Sequence, residues 1–235
     1  VLGAHAAPML PDALMRHFLP IAAFVGGAIS TFLVYRLSTV AGRTSMATML
    51  LTGIALAALT GAMTGILTFL STDQQLRELT FWSMGGLSGA TWDKVRVALP
   101  FMAPAFCAAP FLASALDRLA LGESEAFHLG VRVQTIKRIA ILVIAAGVGV
   151  AVSVSGIVGF VGLVAPHLVR LAVGPGHRTL LPAAALLGAG LLAIADLAAR
   201  TIVAPAELPL GIVTALIGAP FFLYLLVQRS RAGIL

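Results

Sequence analysis

Polar and helix-breaking residues are scarce in this chain, so the few that interrupt its apolar runs mark where chemistry could occur. One stretch concentrates them: Ser155-Gly156-Ile157-Val158-Gly159-Phe160-Val161-Gly162-Leu163-Val164-Ala165-Pro166-His167-Leu168-Val169-Arg170. Glycine lets backbones approach closely, and proline removes a helix hydrogen bond. Irregular backbone is not tolerated against lipid, so this segment must pack on protein or line a cavity. The other ionisable groups near helix interiors or ends are Asp196, Arg200 and Glu207. Such groups are costly in hydrocarbon and face a bundle interior or a cavity. Asp196 and Arg200 are four apart, so a helix brings them to one face, either as a structural clamp or as a docking charge. His167 follows Pro166 close to a helix end and reads as a packing histidine rather than a ligand.

Catalytic signatures are missing. The two lysines, Lys94 and Lys137, belong to no G-x-x-x-x-G-K-[ST] loop, so the chain cannot itself cradle ATP phosphates. There is no H-E-x-x-H, no zinc-spaced His and Asp pair, and no G-x-S-x-G. The single cysteine, Cys107, excludes a disulfide within the chain and a thiolate cluster. No catalytic residue and no metal ligand is assigned, and no cofactor is expected on this chain. The elements that must position the polar residues are membrane helices. The chain is 60% hydrophobic and 10% charged, whereas soluble domains are about 45–50% apolar and about 25% charged. At about 20 residues per span, 235 residues hold roughly seven helices.

Seven apolar segments run at about 17–35, 46–70, 95–116, 138–155, 157–173, 180–200 and 210–228. The net charge of +6 is not a nucleic-acid signal, because the basic residues fall between these runs and at the end of the chain. Arg36 and Arg43, then Arg118 to Arg138, then His177 and Arg178, then Arg229 and Arg231 all fall on one side. The positive-inside rule makes that side cytoplasmic. Loops 71–92 and 204–210, the turn near Gly156 and the start of the chain then lie outside. Val1–Leu10 reads as the tail of a helix or a loop already under way, so an N-terminally incomplete chain is expected.

Two loops are too long and patterned to be mere connectors. In loop 71–92, Leu76, Leu79, Phe81, Trp82, Leu87 and Trp92 alternate with polar residues, which fits either a short helix near the outer mouth or an aromatic belt. In loop 117–138, Gly122 is followed by Glu123, Glu125 and Ala126 and then by Leu129-Gly130. Acidic residues suit a first helical turn and glycine a stop, so a short helix is expected there. It serves either as a docking element or as a solvated connector.

These residues together resemble the binding-protein-dependent permeases for iron complexes and vitamin B12, the FecCD-type or type II ABC importers. The likeness rests on the signature holding Gly159, Gly162, Pro166 and His167, on His177-Arg178-Thr179-Leu180-Leu181-Pro182, on Ala195 to Arg200 and on Pro205 to Phe222. Leu121 to Gly130 resembles the family's ATPase-docking segment. Arg77, Phe81-Trp82, Met84-Gly85-Gly86 and Trp92 resemble its outer loop. The matches keep the family's order across residues 71–222.

The resemblance implies an all-α polytopic membrane protein, with residues 1–235 forming one permease domain that corresponds to helices four to ten of a ten-helix permease. It implies a multi-pass protein of the bacterial inner membrane, in contact with lipid. Its partners would be a second copy of itself, two ATP-binding subunits that hold ATP and Mg, and a periplasmic substrate-binding protein. Gly122, Glu123, Ala126, Leu129 and Gly130 would dock the ATPase from the cytoplasmic loop 117–138. Arg200, at the outer end of the sixth segment, would meet an acidic residue of the binding protein, and 71–92 would be a periplasmic loop. Arg43, Thr44, Ser45, Met46 and Ala47 occupy the inner-gate region, where the residues depart from the family's pattern. Asp73 to Met84 looks most like haem-importer members, with ferric siderophore and cobalamin as alternatives. Gly53, Ala57, Gly61 and Gly65 either line the pathway or serve as helix contacts. The rival classes are an intramembrane enzyme using His167 and Asp196 and an ion-coupled secondary transporter.

Overall fold

The computed structural model describes residues 12–40 and 43–231, with the side chains of 12–20, 40, 43, 46, 226 and 228–231 left out. Val1–Leu10 therefore lies outside the described residues, as do the side chains of Arg229 and Arg231. Nine helices run through the described residues: α1 Asp12–Leu37, α2 Met46–Phe69, α3 Asp73–Met84, α4 Trp92–Leu119, α5 Glu123–His128, α6 Val133–Ser155, α7 Val161–Val173, α8 His177–Thr201 and α9 Leu210–Arg231. Two two-residue strands, β1 Thr39–Val40 and β2 Arg43–Thr44, pair antiparallel between α1 and α2.

Length and composition follow the bilayer. Ala47–Phe69, Trp92–Leu119, Val133–Ser155 and His177–Thr201 are each long and apolar enough to cross a membrane, and Ile21–Leu37, Val161–Val173 and Leu210–Leu225 are shorter apolar helices. The protein is an all-α polytopic membrane protein. Along α2 the large side chains face outward, with Leu50, Ile54 and Phe69 70%, 67% and 87% exposed. Its threonines satisfy themselves on the helix backbone: the Thr60 hydroxyl donates to the Leu56 carbonyl at 2.9 Å and Thr64 to Thr60 at 2.8 Å. A polar group so satisfied can sit at membrane depth. Local sequence sets two of the helix starts. Ser45 caps α2 by accepting from the Thr48 N–H, and Thr91 caps α4 by accepting from Lys94. The Thr91 cap starts α4 at Trp92, three residues earlier than the apolar run suggests.

The described chain forms two compact units, residues 12–80 with 91–154 and residues 81–90 with 155–231. In the first, Phe24 of α1 lies 5.2 Å from the ring of Phe101 on α4. A small core of Ala126, Val131 and Val133 is flanked by Ala115, Leu119 and Ile136.

In the second unit, α8 and α9 hold between them a core of Ala195, Ala199, Leu210 and Val213, with Leu87 and Val158 against it, and α7 packs on both helices. Three backbone segments cross beside this core. Gly86 N–H donates to the Ser155 carbonyl at 2.8 Å, and Leu210 N–H donates to the Gly85 carbonyl at 3.0 Å. Gly85 and Gly156 hold φ of 69° and 70°, a region open to glycine and strained for other residues. A Cβ on Gly156 would run into the Trp82 carbonyl oxygen. The segment after Ser155 is thus occupied by this crossing and by Phe160, whose φ is 64°. That is why α7 begins at Val161 and not at 157.

Candidate functional site

Helix α5 is set on a buried base. Gly122, at φ 119°, turns the chain out of α4, and Gly130, at φ 79°, turns it toward α6. Ala126 is fully buried between them, while Phe127 is 70% exposed. The Arg118 guanidinium donates to the Leu129 carbonyl at 3.2 Å and closes the far end. Leu129 itself is exposed. Beside the exposed face lies a groove of about 610 Å³, lined by Glu123, Ser124, Phe127, Arg132 and Gln134. An apolar knob above an acidic and basic rim is suited to insertion into a partner.

Glu123 also faces inward. Its carboxylate accepts from the ammonium of Lys137 on α6, and the same ammonium donates to the Thr44 carbonyl at 3.0 Å. Lys137 is only 6% exposed. The Thr44 hydroxyl lies 3.0 Å from that of Thr39 and donates to Gln134 at 3.4 Å. The five residues assigned to the inner gate are therefore a β2 residue pair (Arg43 and Thr44), the α2 cap (Ser45) and the first helical residues (Met46 and Ala47). Thr44 is buried, Ser45 and Ala47 are exposed, and the side chains of Arg43 and Met46 lie outside the described residues.

Gly53 and Ala57 line a groove of about 320 Å³ together with Ser30, Thr31 and Thr60 of α1 and α2. Apart from their own helix's backbone and chain neighbours, no described atom lies within 4 Å of where a Cβ on Gly53, Gly61 or Gly65 would sit. Within the described residues these glycines make no helix contact that needs a glycine.

In the second unit Asp196 and Arg200 do meet, with Arg200 Nε donating to Asp196 Oδ2 at 2.8 Å. Asp196 lies N-terminal to Arg200, the favourable order on a helix. Arg200 is 42% exposed at the end of α8, so the pair leaves part of its fork open. His167 stands edge-on to Phe221 of α9, with ring centres 6.3 Å apart. Pro166 lies within α7. Around Gly159 and Gly162 the space for a Cβ is open among the described residues. The close approaches fall instead at Gly85, Gly156, Gly211 and Gly218. Of these only Gly156 belongs to the stretch that the sequence singles out, and none is a signature residue. In the sequence Lys137 is one basic residue among those from Arg118 to Arg138, because its partner Glu123 lies fourteen residues away across a turn.

Membrane-length apolar helices and a short helix presented at a chain turn define a polytopic membrane protein. The FecCD transport family matches residues 1–228, and the chain belongs to that family. It is 45% identical to the hemin transport system permease protein HmuU of Yersinia pestis, over 95% of this chain and 67% of that one. It is 44% identical to the cobalamin import system permease protein BtuC of Halobacterium salinarum, over 97% and 61%. Identity to the Fe(3+) dicitrate transport system permease protein FecD of Escherichia coli is 39%, over 97% and 70%. A solved ABC transporter assigned to the metal-chelate type, in an inward-facing conformation, superposes with a TM-score of 0.77 at 29% identity. That match covers 89% of this chain and 71% of the other. The chain spans about two thirds of the length of these relatives.

Proposed function

We propose that this chain is the non-catalytic membrane subunit of an ATP-driven importer that moves an iron complex, haem first, from periplasm to cytoplasm by alternating access. Two copies form the membrane unit in the inner membrane. Two separate ATPase subunits, holding ATP and Mg, dock on loop 117–138, and a periplasmic binding protein docks at Arg200. The observation that carries the reading is α5: a six-residue helix with its base buried at Ala126 and Phe127 exposed beside the 610 Å³ groove. The groove at Gly53 and Ala57, lined by the hydroxyls of Ser30, Thr31 and Thr60 and by apolar Val34 and Leu56, suits a weakly binding path for an amphipathic complex.

Haem is favoured by the 45% identity to a hemin permease and by the segment Asp73 to Met84. A cobalamin path is the second reading, since a cobalamin permease is 44% identical, and a ferric siderophore is the third. Uptake by the full-length protein, assembled in liposomes with its ATPase and binding protein, separates them. Haem accumulation well above ferric siderophore and cobalamin is expected. Selective uptake of either of the others removes the haem assignment and keeps the mechanism.

Arg200 supplies an independent check. A guanidinium with an open fork suits a partner carboxylate. Arg200→Glu is expected to weaken binding-protein affinity by about tenfold at low salt and by less at high salt, because exposed charges are screened. An unchanged affinity would return Arg200 to a clamp for Asp196.

A further inference from the structure

We propose that Lys137 is a positioning residue that carries the motion of the docking helix α5 to the β1–β2 hairpin, a role that rests on the docking reading of α5. Its ammonium is buried and holds two acceptors on two different elements: the Glu123 carboxylate at the start of α5 and the Thr44 carbonyl in β2. A lysine has no acceptor of its own and cannot leave both partners while buried without stranding a charge. Displacing α5 alone therefore costs far more than moving α5, the start of α6 and the hairpin as one body.

The hairpin is in turn tied onward. Thr44 bonds Thr39 and Gln134 through its hydroxyl, Ser45 N–H donates to the Ser38 carbonyl at 3.2 Å, and buried Ser38 donates to Thr52 of α2 at 3.4 Å. Arg138, next to Lys137, donates through Nε to the Tyr35 hydroxyl of α1 at 2.8 Å. The first turns of α6 thus join α5 to the ends of both helices that line the Gly53 groove. The other ion pairs among the described residues, Arg96–Asp93 and Arg200–Asp196, each stay within one helix.

The test needs no knowledge of the substrate. The full importer, carrying Cys107→Ala and a reporter Ala47→Cys, is labelled with a membrane-impermeant maleimide with and without ATP–vanadate. With Lys137 intact, nucleotide trapping is expected to change the labelling rate by about tenfold. Lys137→Met is expected to abolish that change while the ATPase stays bound and hydrolyses ATP, and Lys137→Arg is expected to restore most of it. Glu123→Gln, altering a half-exposed partner, is a second route to the same loss should the methionine variant fail to fold. A nucleotide-dependent change of normal size in Lys137→Met or Glu123→Gln overturns the relay. Loss of the ATPase from Lys137→Met also overturns it, since Lys137 would then act in docking. No change with Lys137 intact and the ATPase bound overturns the relay and leaves docking standing, whereas an ATPase that never binds overturns docking itself.

Discussion

Gly156→Ala is expected to destabilise the second unit by about 2–4 kcal/mol, the sum of left-handed strain and an overpacked contact. The backbone there holds φ at 70°, and a Cβ meets the Trp82 carbonyl oxygen and the Gly85 backbone. No flexible side chain is available to yield, because the neighbours are main chain. Relaxation would disturb the bond from Gly86 N–H to the Ser155 carbonyl and the crossing that seats Leu210. The thermal midpoint of the detergent-purified protein should fall clearly. Gly159→Ala is the contrast, since no atom lies within 4 Å of its added Cβ, and it should melt close to the parent. Equal midpoints for the two variants would contradict the crossing as the organising feature of this unit.

Glu123→Lys is expected to reduce transport by about tenfold or more while leaving the membrane unit folded. It removes the carboxylate that satisfies a buried ammonium and puts a second cation in its place. Glu123 is itself half-exposed, so the new lysine can swing to water and spare the fold. Gly122→Pro should act through the backbone instead. Proline fixes φ near −65°, far from the 119° that starts α5 here. Both variants are checked by stimulated ATP hydrolysis and uptake in the assembled importer. Unchanged rates in both would remove the docking assignment of residues 122–130.

Apolar runs, caps and punctuation made most of the fold legible from sequence. Each of the seven apolar segments lies on one of α1, α2, α4, α6, α7, α8 and α9, and the short helices α3 and α5 lie in the two patterned loops. Gly122 and Leu129-Gly130 bracket α5 because glycine tolerates the turns that local spacing demands. The Asp196–Arg200 pair follows from a four-residue spacing on one helix. Three features were out of reach for a common reason. Lys137 bonds residues fourteen and ninety-three positions away, Gly85 meets Ile157, and Gly218 faces Phe160. Local periodicity carries no information about such pairings. Phe160, held at positive φ between Gly159 and Val161, also explains why an apolar run that reads as helix from 157 is not helical until 161.

The measurement that bears most directly on the account is the energy source for uptake by the full-length protein in liposomes with its ATPase and binding protein. The account predicts haem accumulation that requires ATP and is lost when the ATPase is omitted, with no uptake driven by a proton or sodium gradient. Uptake that follows an ion gradient and proceeds without the ATPase would contradict it and place the chain among secondary transporters.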